Sequence, residues 1–280
     1  MQLRSVELAV PRLEEAAQFL EKTWGLAPVA AAGSQRNFRA TGGHPAVLSL
    51  EEGEPAIRAI VFSGDADEVG AVAARARQHA CLLKAAAGSA EVQGPEGQVY
   101  RFLAGEKALP EVRDAAKPLR ITHVVLNTPA RETCERFAVD VLGFAVVDRT
   151  RHMTFVRCNR KHHCLAFAHA ESASLNHIAF EVPSLEAVMR GIGRMHDAGF
   201  DAVWGPGRHG PGNNVFGYFI APWGGVIEYT AEIAEVGDHY QVGGPEDWQW
   251  PPGRIDHWGI SKKDTSRTGP AERLYRFRNG

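Results

Sequence analysis

Hydrophobic and polar positions along the chain follow one repeating order: a period-two run, a stretch at helical spacing, then more period-two runs. LRSVELAV (3–10) alternates as a strand does. PRLEEAAQFLEKTWGL (11–26) sets Leu13, Ala16, Ala17 and Leu20 on one helical face, and PAVLSLEE (45–52) alternates again. The order then recurs. AIRAIVFSG (56–64) reads as a strand, DADEVGAVAARARQHA (65–80) as an amphipathic helix with aspartates at its capping end, and SAEVQGPEGQVYRFLAG (89–105) as a turn and closing strand. After a segment marked by Pro110 and Pro118, ITHVVLNTPARETCERFAVDVLGFAVV parallels the first unit, with Phe137 to Gly143 spaced as Phe19 to Gly25. NHIAFEVPSLEAVMRGIGRMHDAGF and APWGGVIEYTAE parallel the second. The chain therefore predicts four copies of one unit in two tandem halves.

The stretch 208–230, RHGPGNNVFGYFIAPWGGVIEYT, carries the densest chemistry. Two alternating runs separated by PWGG predict a hairpin, in which Tyr218 and Glu228 share a face. Glu228 stands among Val226, Ile227 and Tyr229, where a bare carboxylate is expensive, so it calls for a cation. His123 in RITHVVLNT and His177 in LNHIAFEV lie in matching strand contexts. Two strand histidines and one strand carboxylate on a concave sheet would make a facial set of ligands suited to non-haem Fe(II), with coordination positions left open. Singly, each has a plainer reading: a hydrogen-bonded core histidine, or a charge on a sheet edge. The repeat supplies a control. The first half is expected to place Glu7, about Ala59, and Arg101 where the second has His123, His177 and Glu228, so these residues are not needed merely to build the unit.

Composition narrows the classes. A formal charge of -2 gives no electrostatic reason for a nucleic-acid or membrane partner. MQLRSVELAV runs straight into a strand without a signal layout, and no apolar run approaches the about eighteen residues a spanning helix needs. Cys81, Cys134, Cys158 and Cys164 are irregularly spaced, as for reduced thiols. The expectation is a cytoplasmic protein. The apolar edges of such units favour a homo-oligomer.

Four βαβββ units in two halves, with His123, His177 and Glu228 in these contexts, resemble the vicinal oxygen chelate (glyoxalase/bleomycin resistance/dioxygenase) superfamily. Within it the chain is similar to the type I extradiol catechol dioxygenases, over roughly residues 3–232. The resemblance implies an α+β fold of open, curved, barrel-like mixed sheets with helices outside. It also implies a metal-free N-terminal half (1–108), a linker (109–118), a metal-binding catalytic half (119–232) and a C-terminal extension (233–280). It further implies Fe(II), with Mn(II) as an alternative ion, and an oxidoreductase that cleaves a catecholic ring with O2, putting both oxygen atoms into a ring-opened semialdehyde.

The resemblance also assigns roles. NRKHHCLAFAHA (159–170) is similar to the segment supplying the acid/base histidine, which makes His163 the catalytic residue, with His162 as the alternative. The plainer reading is an exposed basic patch of Arg160, Lys161, His162 and His163. His209, Tyr218 nine residues on and Glu228 nineteen on match the family's hairpin signature, implying that His209 and Tyr218 hydrogen-bond the catecholate. GPGNN after His209 departs from the more polar segment of some members, leaving Asn213 or Asn214 as replacement partners for His209. The tail carries Trp248, Trp250 and Trp258 and is expected to fold over the second half, either closing the substrate mouth or packing outside it; His239 and Tyr240 are close enough to the last strand to reach the pocket, and RLYRFRNG reads as uninformative. A glyoxalase-type lyase or isomerase would use the same fold but draw a further carboxylate from the half that offers Ala59 and Arg101. A keto-acid dioxygenase would have no use for His163 and Tyr218, and a non-enzymatic binding module would not retain three ligands.

Overall fold

The computed structural model describes residues 1–30, 33–112 and 114–277; Arg113 of the expected linker and the last three residues lie outside the described residues. The first half runs β1 (Gln2–Val10), α1 (Leu13–Phe19), β2 (Ala27–Val29), β3 (Arg36–Arg39), β4 (Leu48–Glu52), β5 (Ala56–Gly64), α2 (Ala66–Gln78), β6 (Leu82–Ala86), β7 (Ser89–Gln93) and β8 (Val99–Ala104). The second half repeats it as β9 (Arg120–Thr128), α3 (Arg131–Phe137), β10 (Ala145–Arg149), β11 (Met153–Arg157), β12 (Leu165–His169), β13 (Ser174–Glu181), α4 (Leu185–Asp197), β14 (Trp204–Arg208), β15 (Val215–Ile220) and β16 (Val226–Ala231). The sheets are ordered β2-β3-β4-β1-β5-β8-β7-β6 and β10-β11-β12-β9-β13-β16-β15-β14. Each joins two βαβββ units through a central antiparallel pair, β1 with β5 and β9 with β13. This is an α+β fold of two open mixed sheets, as expected.

Local chemistry explains the helices. Asp65 accepts from the Glu68 amide while Glu68 accepts from the Asp65 amide, closing a capping box on α2. Helices α1 and α3 each widen into a π-type turn, 20–24 and 138–142, ending on Gly25 and Gly143 at φ +95° and +76°. Arg75 of α2 donates to the carbonyls of Val141 and Leu142 there, and a Cβ on Gly143 would meet its guanidinium at 2.5 Å. The matched turns give the repeat its most local signature.

Aromatic contacts tie the halves, among them a parallel stack. Trp24 lies parallel to Tyr229 of β16 at 3.7 Å, the Tyr229 hydroxyl donates to the Trp24 carbonyl, and Arg194 of α4 donates to both the Thr23 carbonyl and the Tyr229 hydroxyl. Since side chains alternate along a strand, Tyr229 on the helix side leaves its neighbour Glu228 on the opposite face. Gly191 lets α4 approach, for a Cβ there would lie 2.8 Å from the Tyr229 ring.

The tail crosses the second half and ends on the first. Helix α5 (Thr265–Ala271) leads to the fully buried Tyr275, whose hydroxyl donates to the Trp223 carbonyl, and β17 (Arg276–Phe277) pairs parallel with β5. The described part of RLYRFRNG, 273–277, is thus structural, and pairing with a strand so distant in the chain leaves no local sequence signal. The four cysteines are free, and no described helix is long and apolar enough to cross a membrane. Trp24→Ala should lower unfolding free energy by about 3–5 kcal/mol and Gly191→Ala by about 1–3 kcal/mol in urea titrations, the first by loss of packing and the second by overpacking.

Candidate metal centre

Three adjacent strands of the second sheet supply the cluster. His123 on β9 and Glu228 on β16 are both register partners of Ala179 on β13, one on each side, and His177 lies two residues back along β13 on the same face. The small Ala179 side chain leaves the three larger ones room to converge. Their ligand atoms all lie within 4.8 Å of one another, with His123 Nε2 and His177 Nε2 at 3.3 and 3.2 Å from Glu228 Oε2.

The donor set fits a divalent cation. Glu228 Oε2 and His177 Nε2 are buried without a hydrogen-bond partner, although they face each other, so the approach lacks hydrogen-bond alignment and leaves lone pairs pointing into a common space. Surrounding groups orient them. Asn176, at a bulge of β13, accepts from His177 Nδ1–H on its Oδ1 at 2.7 Å, which leaves the Nε2 lone pair free for a metal. Asn176 in turn donates to Asn127, which donates to Ser174 Oγ and the Glu272 carbonyl of the tail. Asn214 donates to Thr230 at 2.7 Å and to Glu228 Oε1 at 3.4 Å. Asn214 therefore serves the carboxylate, while the His209 ring pairs with Tyr218. Neither asparagine replaces the expected side-chain partner of His209; Asn214 meets it only through its carbonyl, which accepts from the His209 amide.

Burial governs the protonation states. Burial alone would raise the Glu228 carboxyl, but the facing His123 and His177 rings hold it well below the usual carboxylate range. Burial pushes His177 and His163 below the ordinary imidazole value and His209 down to about 3. Burial, followed by the Glu228 charge, raises the Tyr218 phenol well above its usual value.

The cluster opens into a cavity of about 340 Å3 walled by Val125, Met153, Phe155, Trp204 and Trp250, with His163, His209 and Tyr218 around the ligands. Tyr218 is the cross-strand partner of Glu228 and donates to or accepts from His209 Nε2 at 3.0 Å. The His209 ring stacks on Phe216 at 4.0 Å. The His163 ring lies 4.3 Å from that of His123. His162 is buried behind His163, away from the cavity, so the two histidines belong to no exposed patch, and only Arg160 of the 160–163 stretch is exposed. Of the tail residues, Trp250 reaches the cavity with Ile255 and Lys263. Trp258 lies under Arg208, His239 is exposed, and Tyr240 meets Asp148 rather than the cavity. Lys263, which the sequence did not mark, is paired with Glu272.

The first half differs at the same place. Its strand register sets Ser5, Ala59 and Arg101 at the positions of His123, His177 and Glu228, which corrects the expected Glu7 to Ser5. There Arg101 is held between Glu7 and Glu91, and no second cluster of three ligands occurs among the described residues.

Residues 120–229 match the family model described as the Glyoxalase/Bleomycin resistance protein/Dioxygenase superfamily. A Mn(II)-bound glyoxalase from Novosphingobium aromaticivorans is 31% identical with a TM-score of 0.85, covering 95% of this chain and 93% of that one. BphC, a halotolerant catechol dioxygenase, shares the fold at 20% identity and TM-score 0.85, over 97% of each chain. Metapyrocatechase 2 of Cupriavidus necator is 33% identical over 139 residues, which is 49% of this chain and 41% of that relative's length. With nearly full coverage of a solved relative above 30% identity, and with the duplicated βαβββ sheets and single ligand cluster described above, the chain belongs to the Glyoxalase/Bleomycin resistance protein/Dioxygenase superfamily.

Proposed function

We propose that the chain is an extradiol ring-cleaving dioxygenase that holds Fe(II) on His123, His177 and Glu228 and opens a catecholic ring with O2. The observation that carries this reading is the pairing of a three-ligand face with an aromatic-walled cavity in which His163, His209 and Tyr218 converge. Mn(II) suits the same nitrogen and oxygen donors. Bound there, the ion would acidify the catechol hydroxyls and bring ring and O2 together.

The side chains supply the rest. Tyr218, kept protonated by its buried setting, turns its proton to a catecholate oxygen and can itself accept from His209 Nε2. His209, kept neutral by burial, serves as a hydrogen-bonding group and not as a counter-charge. His163 takes a substrate proton and returns it to an oxygen later in the reaction, as a neutral imidazole beside the ligand face can. Phe155, Trp204 and Trp250 hold the ring and exclude water. A lyase reading draws support from the name of the 31% identical relative; the absence of a carboxylate at Ala59 and Arg101 weighs against it.

Anaerobically purified protein loaded with Fe(II) should consume one O2 per catechol and form a yellow ring-opened product on an oxygen electrode with parallel absorbance. Turnover of a hemithioacetal under Mn(II), with no O2 uptake, would establish the lyase instead. Asn176→Ala should weaken metal binding by about 10–100-fold in calorimetric titration, because the His177 ring loses its orienting acceptor. Tyr218→Phe should lower kcat/KM about 10–100-fold, through loss of a hydrogen bond to a charged oxygen. The deficit should stay constant from about pH 6 to 9, since the wild-type phenol with its raised pKa remains protonated throughout that range.

A further inference from the structure

Behind His163, away from the cavity, lies a buried line of polar groups that the proposed chemistry does not use. Asp148 on β10 is fully buried. Its Oδ1 accepts the Gly243 amide at 2.8 Å, and its Oδ2 accepts the Tyr240 hydroxyl at 3.1 Å and faces His162 Nε2 at 2.6 Å. His162 Nδ1 then meets His163 Nδ1 at 2.9 Å. The backbone on both sides is fixed, for the His162 amide donates to the Ala234 carbonyl and the Arg149 amide to the Gly243 carbonyl.

Hydrogen-bond logic assigns the protons along this line. The Gly243 amide can only donate, so Asp148 Oδ1 must accept. The phenol of Tyr240, raised to about 12 by burial and by Asp148, is a donor to Oδ2. A carboxylate so placed accepts from His162 Nε2–H, and in the neutral imidazole this leaves Nδ1 as the lone-pair atom. Only one proton fits the gap between the two Nδ1 atoms, and His163 must supply it. Its Nε2 is then bare, on the ring that lines the cavity.

We propose that Asp148 and His162 are positioning residues that lock His163 in the Nδ1–H tautomer, so that the atom offered to the cavity is a proton acceptor. The use of that acceptor in ring cleavage rests on the function proposed above, whereas the tautomer does not. Gly212, at φ +79°, lies against the same ring, where a Cβ would stand 3.1 Å from His163 Cε1, so the glycine-rich turn completes the clamp.

The tautomer can be read without turnover. Long-range 1H–15N spectra of full-length protein labelled in its histidine rings, with His163 assigned from a His163→Gln sample, should show the Nδ1–H form. In Asp148→Asn the amide oxygen must still accept from Gly243, so its NH2 group faces His162 Nε2. Both imidazoles should then invert, leaving His163 with Nε2–H, and kcat should fall by about 100-fold or more with KM within about twofold. His162→Asn places an amide oxygen near the lost Nδ1 and should retain the Nδ1–H form and most of kcat, while His162→Leu should not. Wild-type His163 in the Nε2–H form overturns the inference, as does an Asp148→Asn variant with unchanged tautomers. A wild-type protein that shows the Nδ1–H form but cleaves no catechol supports this inference and overturns the ring-cleavage reading.

Discussion

A fully buried carboxylate facing two buried imidazoles is the constraint from which the second half follows. Leaving the Glu228 oxygen unpaired would cost several kcal/mol, because its charge has been taken out of water without a matched proton donor. Nearby choices accommodate this: Ala179 is small where His123 and Glu228 flank it, Asn176 fixes one imidazole, and Asn214 steadies the other carboxylate oxygen. Each of these would be a poor choice in a sheet built only for stability. Together they describe a site whose donors fit a cation.

The first half tests that argument within one molecule. It has the same strand order and the same helix turns, yet at the equivalent place a guanidinium is held between Glu7 and Glu91. The cation there is a side chain of the protein itself. The unit thus accommodates either an ion-paired guanidinium or a face of three candidate ligands, and the two solutions are chemically opposite at one position, Arg101 against Glu228. Duplication leaves one half free to specialise, while the Trp24–Tyr229 stack fixes the back of β16, the strand that carries the carboxylate.

Much of this was legible because period-two patterns fix faces. The hairpin of Tyr218 and Glu228, the two strand histidines and the fourfold repeat all follow from alternation and turn residues. Alternation is blind to a shift of two, however, and that is how Glu7 came to stand in for Ser5: both lie on one face of β1. Pro11 against Pro129, spaced as Phe19 against Phe137, carried the correct offset. The fate of His162 was not legible, since whether a Lys-His-His run is a basic patch or a buried relay depends on Asp148, on a different strand. Nor was the role of Tyr275, because its partner Trp223 lies 52 residues away in the chain.

The extension is better understood as part of the site than as a cover over it. One continuous segment pairs its 234–236 backbone with residues 160–162, sends Tyr240 and Gly243 to Asp148, and delivers Trp250 to the cavity wall. Farther on, the Glu272 carbonyl ends the hydrogen-bond chain that begins at His177. The tail thus reaches the acid/base candidate His163 and the metal-ligand candidate His177 through separate chains of side-chain hydrogen bonds, which it enters largely with backbone groups, the Gly243 amide and the Glu272 carbonyl. Such contacts demand position but little sequence, which explains how an irregular, Pro- and Gly-rich segment can carry them without any periodic pattern of its own.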